Sequence, residues 1–343
     1  MTRETLFMKA INEGLDQAME RDERVVLLGE DIAGGVNVKH LENNNEDAWG
    51  GVMGVTRGLM PKYGRERVID TPISEHGYLS ASVGMALTGL RPVPELMFND
   101  FIGFCFDALL GQASKMRYMF GGKAKVPMVV RTMHGAGASA AAQHSGSYYA
   151  LFGSIPGIKV VVPATPYDAK GLLLASIEDD NVVVFSEDKT LYGLKGEVPE
   201  EYYTVPIGKA AVRREGKDLT IVTIGKMLYV AYEVADRLAK DNISVEVIDL
   251  RTVAPWDEET VLNSVKKTGR LIIVDEANPH NNTATDIASI VSDKAFDYLD
   301  GPVKCVCAPN TPVPFATNLE QAYLPDADKV LKVADELIQD LKG

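Results

Sequence analysis

Short apolar runs of four to six residues alternate along this chain with longer segments of helical period. Val25–Leu28, Pro92–Leu96, Val126–Arg131, Ile158–Val162 and Val182–Ser186 read as buried strands. Helical spacing marks residues 5–21, 74–90, 100–118 and 166–178 between them. Uninterrupted apolar strands separated by helices predict a mostly parallel sheet covered on both faces. The rhythm lapses over 187–207 and then restarts. Strands are expected at Leu219–Ile224, Val245–Ile248, Leu271–Val274 and Val303–Val306, with helices at 227–241, 257–267, 284–298 and 326–341. The expected class is therefore α/β, with two open, mostly parallel sheet domains at 1–186 and 208–343 joined by an extended linker at 187–207. The 343 residues suffice for two domains, and no sequence repeat relates them.

Composition excludes several classes of function. The net charge of −13 argues against a nucleic-acid partner and favours a basic protein partner. Cys105, Cys305 and Cys307 match neither a metal pattern nor a disulfide framework and are expected as reduced, buried thiols. No apolar run approaches the roughly 18 residues of a membrane span. Met1-Thr2-Arg3-Glu4 leads into an amphipathic helix instead of an apolar leader, so the cytoplasm is the expected compartment.

The stretch Asp70-Thr-Pro-Ile-Ser-Glu-His-Gly77 places Glu75 at a strand-to-helix junction, with Ser74 as the expected N-cap. The carboxyl end of such a sheet is where open α/β folds bind ligands. Two readings are open for Glu75: a ligand-facing carboxylate, or a first-turn acid complementing the helix dipole. Glu30-Asp31 follows another strand and has the same placement. The polar segment 32–53 is longer than an ordinary connection. Residues 134–147 are too small and glycine-rich to hold a core, and they carry His144. On such a loop His144 is either an acid–base group or a surface or interface histidine; His134 is a weaker candidate. Gly135-Ala-Gly137 lacks the third glycine of a dinucleotide fingerprint, which disfavours an NAD-binding reading. Phe101, Phe104 and Phe106 can stack on a planar ring or form a core face. Asp179-Asp180-Asn181 can hold a cation or cap a turn.

The order of these pieces carries a resemblance. Gly29-Glu-Asp31, Asp70–Glu75, Gly89-Leu-Arg-Pro92, Glu95-Leu-Met-Phe-Asn-Asp-Phe101 and Ala142-Gln-His-Ser145 are followed by Ser154–Lys159, Asp249-Leu-Arg-Thr252, Asp275-Glu-Ala277 and Pro312-Val-Pro314. Over residues 4–340 the chain resembles the β subunit of the thiamine diphosphate-dependent first component of 2-oxo acid dehydrogenase complexes. The insert ending Asp47-Ala-Trp-Gly-Gly-Val52 and the run Met97–Ile102 make it most similar to the acetoin dehydrogenase branch. The resemblance implies a pyrimidine-binding domain followed by a transketolase C-terminal-like domain. It implies Glu75 on the aminopyrimidine, His144 near the thiazolium, Phe101 stacked on the ring, and Ile73 and Met97 as wall residues; Glu30 is placed in the same cofactor site. A potassium site in some members matches Met128, Ser176, Asp179 and Asn181. His76 has no counterpart. The family anchors the diphosphate through magnesium and a Gly-Asp-Gly motif, which this sequence lacks. An α subunit is therefore expected to supply magnesium and half the site, in an α2β2 heterotetramer. The expected activity is acetoin cleavage with transfer of the acetyl unit to the lipoyl group of a second component. The alternatives are a pyruvate or branched-chain 2-oxo acid substrate, or a non-catalytic assembly subunit. Asp326, Asp328, Asp335, Glu336 and Asp340 on the last helix are either a docking face for the second component or a solvated face.

Overall fold

The computed structural model of the protein describes residues 2–34 and 50–339. Asp47–Trp49 of the insert, most of the 32–53 segment and Asp340 lie outside the described residues. The chain forms two compact units, Met1–Met133 with Phe152–Val161 and Thr165–Ile207, and His134–Leu151 with Val162–Ala164 and Gly208–Gly343.

The first unit and the segments bordering it carry β1 (Thr2–Leu6), α1 (Phe7–Arg21), β2 (Val25–Gly29), α2 (Leu59–Tyr63), β3 (Val68–Asp70), α3 (Glu75–Leu87), β4 (Arg91–Phe98), α4 (Ile102–Asp107), α5 (Ser114–Met119), β5 (Val129–His134), α6 (Tyr149–Gly153), β6 (Lys159–Val161), α7 (Pro166–Glu178), β7 (Val183–Asp188) and β8 (Lys195–Pro199). Its strands run in the order β6-β7-β5-β4-β2-β3. The β2–β3, β2–β4, β4–β5 and β6–β7 pairs are parallel. The apolar stripe Phe7, Ile11, Leu15, Met19 of α1 is buried, and α1 packs on α7. From β2 the chain steps outward to β3 and returns on the other side of β2 as β4. Such a reversal opens a crevice at the carboxyl ends of the strands.

Three expectations are corrected. The helix expected from residue 5 begins at Phe7, because Thr2–Leu6 pair antiparallel with Lys195–Pro199. Residues 187–207 therefore do not simply cross: they extend β7, supply β8 and lie against α7. The Nζ of buried Lys170 donates to the carbonyls of Pro199, Glu200 and Glu201 at 2.7, 3.2 and 3.0 Å and pairs with Glu13 at 2.8 Å. A Cβ on Gly171 would come within 2.7 Å of Val205 and Tyr203, so only glycine admits that passage. The helix expected over 100–118 is broken. Cys105 has non-helical backbone angles, and a π-helical turn at Ala108–Ala113 separates α4 from α5.

The second unit adds β9 (Ala211–Arg214), β10 (Leu219–Thr223), α8 (Met227–Leu238), β11 (Val245–Asp249), β12 (Thr252–Ala254), α9 (Glu258–Thr268), β13 (Leu271–Asp275), α10 (Thr283–Lys294), β14 (Lys304–Cys307), α11 (Thr317–Tyr323) and α12 (Ala327–Leu337). Its sheet runs β14-β13-β10-β11-β9, parallel except for the antiparallel edge strand β9. Ile221, Val247 and Val274 pack with Leu228, Ala231, Val330 and Ala334 into one core. The edge strand β9 and the short helix α11 have no sequence expectation behind them. Cys305 and Cys307 are only partly buried, not fully as expected; Cys305 donates to Ala284 O and Cys307 accepts from Asn282, so both meet the α10 segment. On the last helix Asp326 caps the N-terminus, Asp328 pairs with Arg237 at 2.8 Å and Glu336 with Lys304 at 3.1 Å.

Candidate active site

In the first unit the carboxyl ends of β2, β3 and β4 converge. Thr71 N donates to Gly29 O at 2.9 Å, and the Asp70 carboxylate accepts from Ala33 N at 2.6 Å, which ties the β2 and β3 exits together. Glu75 opens α3, partly buried, with Ser74 before it. Ser74 occupies the N-cap position but its side chain makes no capping hydrogen bond, contrary to expectation. Glu30, at the end of β2, is partly buried. Burial pushes its carboxyl above the usual range, and the charges of Asp31, Glu75 and Glu95 push it further. Burial, aided by Glu75, likewise raises the Cys105 thiol to about 12, and the Tyr78 phenol is raised by burial and by Glu75. Glu75 and Glu95 thus bear on Glu30 through charge, and the raised carboxyls of this acidic group are those of Glu30 and Glu95.

The site is rimmed by aromatic and apolar side chains. Phe101 is partly buried and meets Phe98 and Phe104 edge-on, at centroid distances of 5.7 and 6.2 Å. Phe104 is 69% exposed, so the phenylalanine cluster is not a core face. Met97 is buried and Ile73 is 76% exposed. His76 is exposed.

Sequence reasoning missed what lies beneath. Glu95 accepts from Arg131 at 2.7 Å, and Arg131 also pairs with Glu187 through Nε and Nη2 at 2.7 and 2.9 Å. Tyr192 donates to the same Glu187 at 2.7 Å, and Tyr78 donates to Glu95 O at 3.0 Å. Burial and the neighbouring Glu187 push the Glu95 carboxyl up against the pull of Arg131. The signal was present: Glu95, Arg131 and Glu187 are charges within buried, largely apolar strands, and a charge there requires a partner.

His144 lies on the loop 134–147, which groups with the second unit. Glu75, Glu30, Met97 and Phe101 come together in the first. Gly135 and Gly137 have φ of 95° and 108°, and Ser139 and Ala141 also have positive φ. The Gly137 and Ser139 amides, which a dinucleotide phosphate would need, donate to the Glu320 carboxylate at 2.7 and 2.9 Å. His134 is buried, 3.5 Å from Glu276 and edge-on to Tyr149, as a core histidine would be. Near it Tyr149 donates to Asp275, whose carboxyl burial pushes up to about 6 despite hydrogen bonds from Tyr149, Ala277 and Ala284.

The four residues matched to a potassium site all lie in the first unit; cationic side chains already occupy acceptors of two of them, Asp179 and Asn181, while Ser176 O accepts from Asp179 N at 3.3 Å. The Lys159 ammonium is on the Asp179 carboxylate, which also accepts from Asn181 N and Nδ2 at 2.9 and 2.8 Å. Arg91 donates to Asp179 O at 3.0 Å, and Arg117 to Asn181 Oδ1 at 2.9 Å. Met128 O accepts from Val183 N. Burial alone would raise Asp179; Lys159 and Asn181 hold it below the usual range. As it stands, the Lys159 ammonium supplies the positive charge at the Asp179 carboxylate.

Comparison with known proteins decides the family. The family model for the transketolase pyrimidine-binding domain matches residues 4–195, and that for the transketolase C-terminal domain matches 208–330. The acetoin:2,6-dichlorophenolindophenol oxidoreductase subunit beta of Bacillus subtilis is 57% identical over 98% of both chains. The chain belongs to the β-subunit family of thiamine diphosphate-dependent first components of 2-oxo acid dehydrogenase complexes. Within this family the pyruvate dehydrogenase E1 component subunit beta of Rickettsia felis is 42% identical over 96% of this chain and 97% of that one. In fold, a solved chain described as a split-gene transketolase, inactive beta4 tetramer, matches with a TM-score of 0.76. It covers 98% of this chain and 99% of its own length at 21% identity. Among the described residues no helix is long and apolar enough to cross a membrane.

Proposed function

We propose that this chain is the β subunit of an enzyme that cleaves acetoin and passes the acetyl unit to the lipoyl group of a second component. Residues 1–186 act as the pyrimidine-binding domain and 208–343 as the transketolase C-terminal-like domain, with 187–207 folded onto the first before the chain enters the second. The observation that carries the substrate is the step from 57% identity with an acetoin oxidoreductase subunit to 42% with a pyruvate dehydrogenase subunit, each nearly end to end. Pyruvate or a branched-chain 2-oxo acid is the second reading. An α subunit supplies the diphosphate and magnesium anchor in an α2β2 assembly, and a cytoplasmic location follows from the same reading.

The residues present fit thiamine diphosphate. A basic ring nitrogen needs a carboxyl that can share a proton, and Glu75 offers one at the helix start, close to Glu30 and a half-buried phenylalanine. Bound, the cofactor supplies a carbon nucleophile and an electron sink. Glu75 would share a proton with the aminopyrimidine nitrogen, with Glu30 beside it. Phe101 would offer its face to the ring, with Met97 and Ile73 as wall residues. His144 holds and moves a proton at the substrate-derived oxygen. A potassium ion at Asp179 would have to displace Lys159; removing potassium should therefore leave thermal stability unchanged.

The test is reconstitution with the α subunit and turnover on acetoin, pyruvate and branched-chain 2-oxo acids with an artificial electron acceptor. Preference for acetoin by kcat/KM is expected. Preference for a 2-oxo acid would transfer the assignment to the second reading, and no turnover on any would favour an assembly role.

A further inference from the structure

Between Gly135 and Ala142 the loop that carries His144 has no side chain larger than a hydroxymethyl group. Among the described residues, apolar packing reaches this stretch where Ala136 lies with Ala308, Val313 and Tyr323. Two non-glycine residues, Ser139 and Ala141, are held in left-handed backbone conformations that an unsupported chain would leave. Backbone hydrogen bonds therefore help hold the stretch that leads to His144.

The loop base is closed by Gly135 N donating to Gly146 O, and the His144 amide donates to Ala141 O, both at 3.4 Å. Between these weak contacts, charged side chains make shorter ones. Glu320, 1% exposed on α11, accepts from Gly137 N at 2.7 Å through one oxygen and from Ser139 N at 2.9 Å through the other. Ser139 Oγ adds a 3.4 Å contact to the same carboxylate and lies 3.1 Å from Thr317 Oγ1. From the opposite polarity, Lys226 Nζ donates to Ala136 O at 2.5 Å while paired with Glu276 at 2.6 Å. Hydrogen bonds to a charged acceptor are about twice as strong as neutral ones. A carboxylate is also the one side-chain group that can accept two amides in this fork without offering a donor.

We infer that Glu320 is a positioning residue for His144, its buried carboxylate fixing the Gly137–Ser139 backbone and through it the turn that presents the imidazole. The inference rests on the reading of His144 as the group that moves a proton on the substrate side. Glutamine keeps the shape of Glu320 but turns an NH2 toward one of the two amides. In the assembled enzyme Glu320→Gln should lower kcat by roughly 10- to 100-fold, the scale of a small misplacement. Cofactor affinity and exchange of the thiazolium proton should stay unchanged.

The decisive measurement is a double-mutant cycle with His144→Ala. If Glu320 acts through His144, the glutamine substitution adds nothing in the alanine background; additive losses overturn the inference. Hydrogen exchange gives a readout independent of turnover. In the wild-type assembly the peptide spanning 134–147 should be protected, and in Glu320→Gln it alone should exchange faster while β10 and β13 stay protected. Fast exchange of this peptide in the wild type overturns the inference even if the variant fails to fold. Normal turnover by His144→Ala would sink the reading of His144 itself, and this inference with it; a crippled His144→Ala with an unaffected Glu320→Gln sinks only the inference.

Discussion

Glu75 and Asp275 show how differently two carboxyls can be used. Glu75 sits at a helix start among other acids, partly open, where a ligand ring can reach it. Replacing it by glutamine keeps size and polarity but removes the shareable proton. Turnover of the reconstituted enzyme should fall by roughly 100- to 10,000-fold, the range for general acid–base groups. Cofactor affinity measured by fluorescence titration should change far less; near-normal turnover would exclude the role. Asp275 is buried beneath Tyr149 and its carboxyl is raised from 3.8 to about 6. Between these two values the folded chain keeps a proton that the unfolded chain has lost. Its contribution to stability is therefore greatest below pH 4 and declines as pH rises through 6, by ~3 kcal/mol in all. Urea unfolding of wild type and Asp275→Asn across pH 4–7 should show the wild type losing stability relative to the variant, then running parallel above about pH 6.5. Parallel curves throughout would mean that the carboxyl titrates alike in both states.

The strands of the first unit do two jobs. Their apolar residues form the sheet, and β4, β5 and β7 also bring Glu95, Arg131 and Glu187 together within it. Because the guanidinium is shared by two carboxylates, its removal leaves both buried without a cation. Arg131→Met should cost about 3–5 kcal/mol of unfolding free energy, the usual penalty for orphaning a buried ion. Arg131→Met with Glu95→Gln and Glu187→Gln should recover much of that loss. Chemical denaturation of the three-fold and single variants settles it: a single variant as stable as wild type would show that the network contributes nothing. The broken helix after β4 belongs to the same level. Its apolar spacing is helical throughout, so the sequence predicts one rod. The break at Cys105 follows directly on Phe98, Phe101 and Phe104, which meet edge-on.

At the scale of the whole chain, the site in the first unit holds acids and an aromatic ring but no phosphate anchor in the sequence. The isolated chain should therefore show no micromolar binding of thiamine diphosphate and magnesium by calorimetry, while the α–β assembly binds stoichiometrically. Tight binding by this chain alone would overturn the split site. The acids of α12 bear on docking in the same way. With Asp328 and Glu336 already paired to Arg237 and Lys304, a basic partner would have to compete for them, and that competition would weaken as salt screens it. Strand and helix order, the two-sheet class and the placement of Glu30 and Glu75 at a sheet edge were legible in the sequence, because apolar period and turn residues act over a few neighbours. So was His144 on a loop without a core of its own. The pairing of β1 with β8, the Glu95–Arg131–Glu187 network, the cations that already occupy Asp179 and the grip of Glu320 on the His144 loop were not. Each joins residues between 20 and about 190 positions apart, and only the folded chain, where burial forces every charge and amide to find a partner, decides which of them meet.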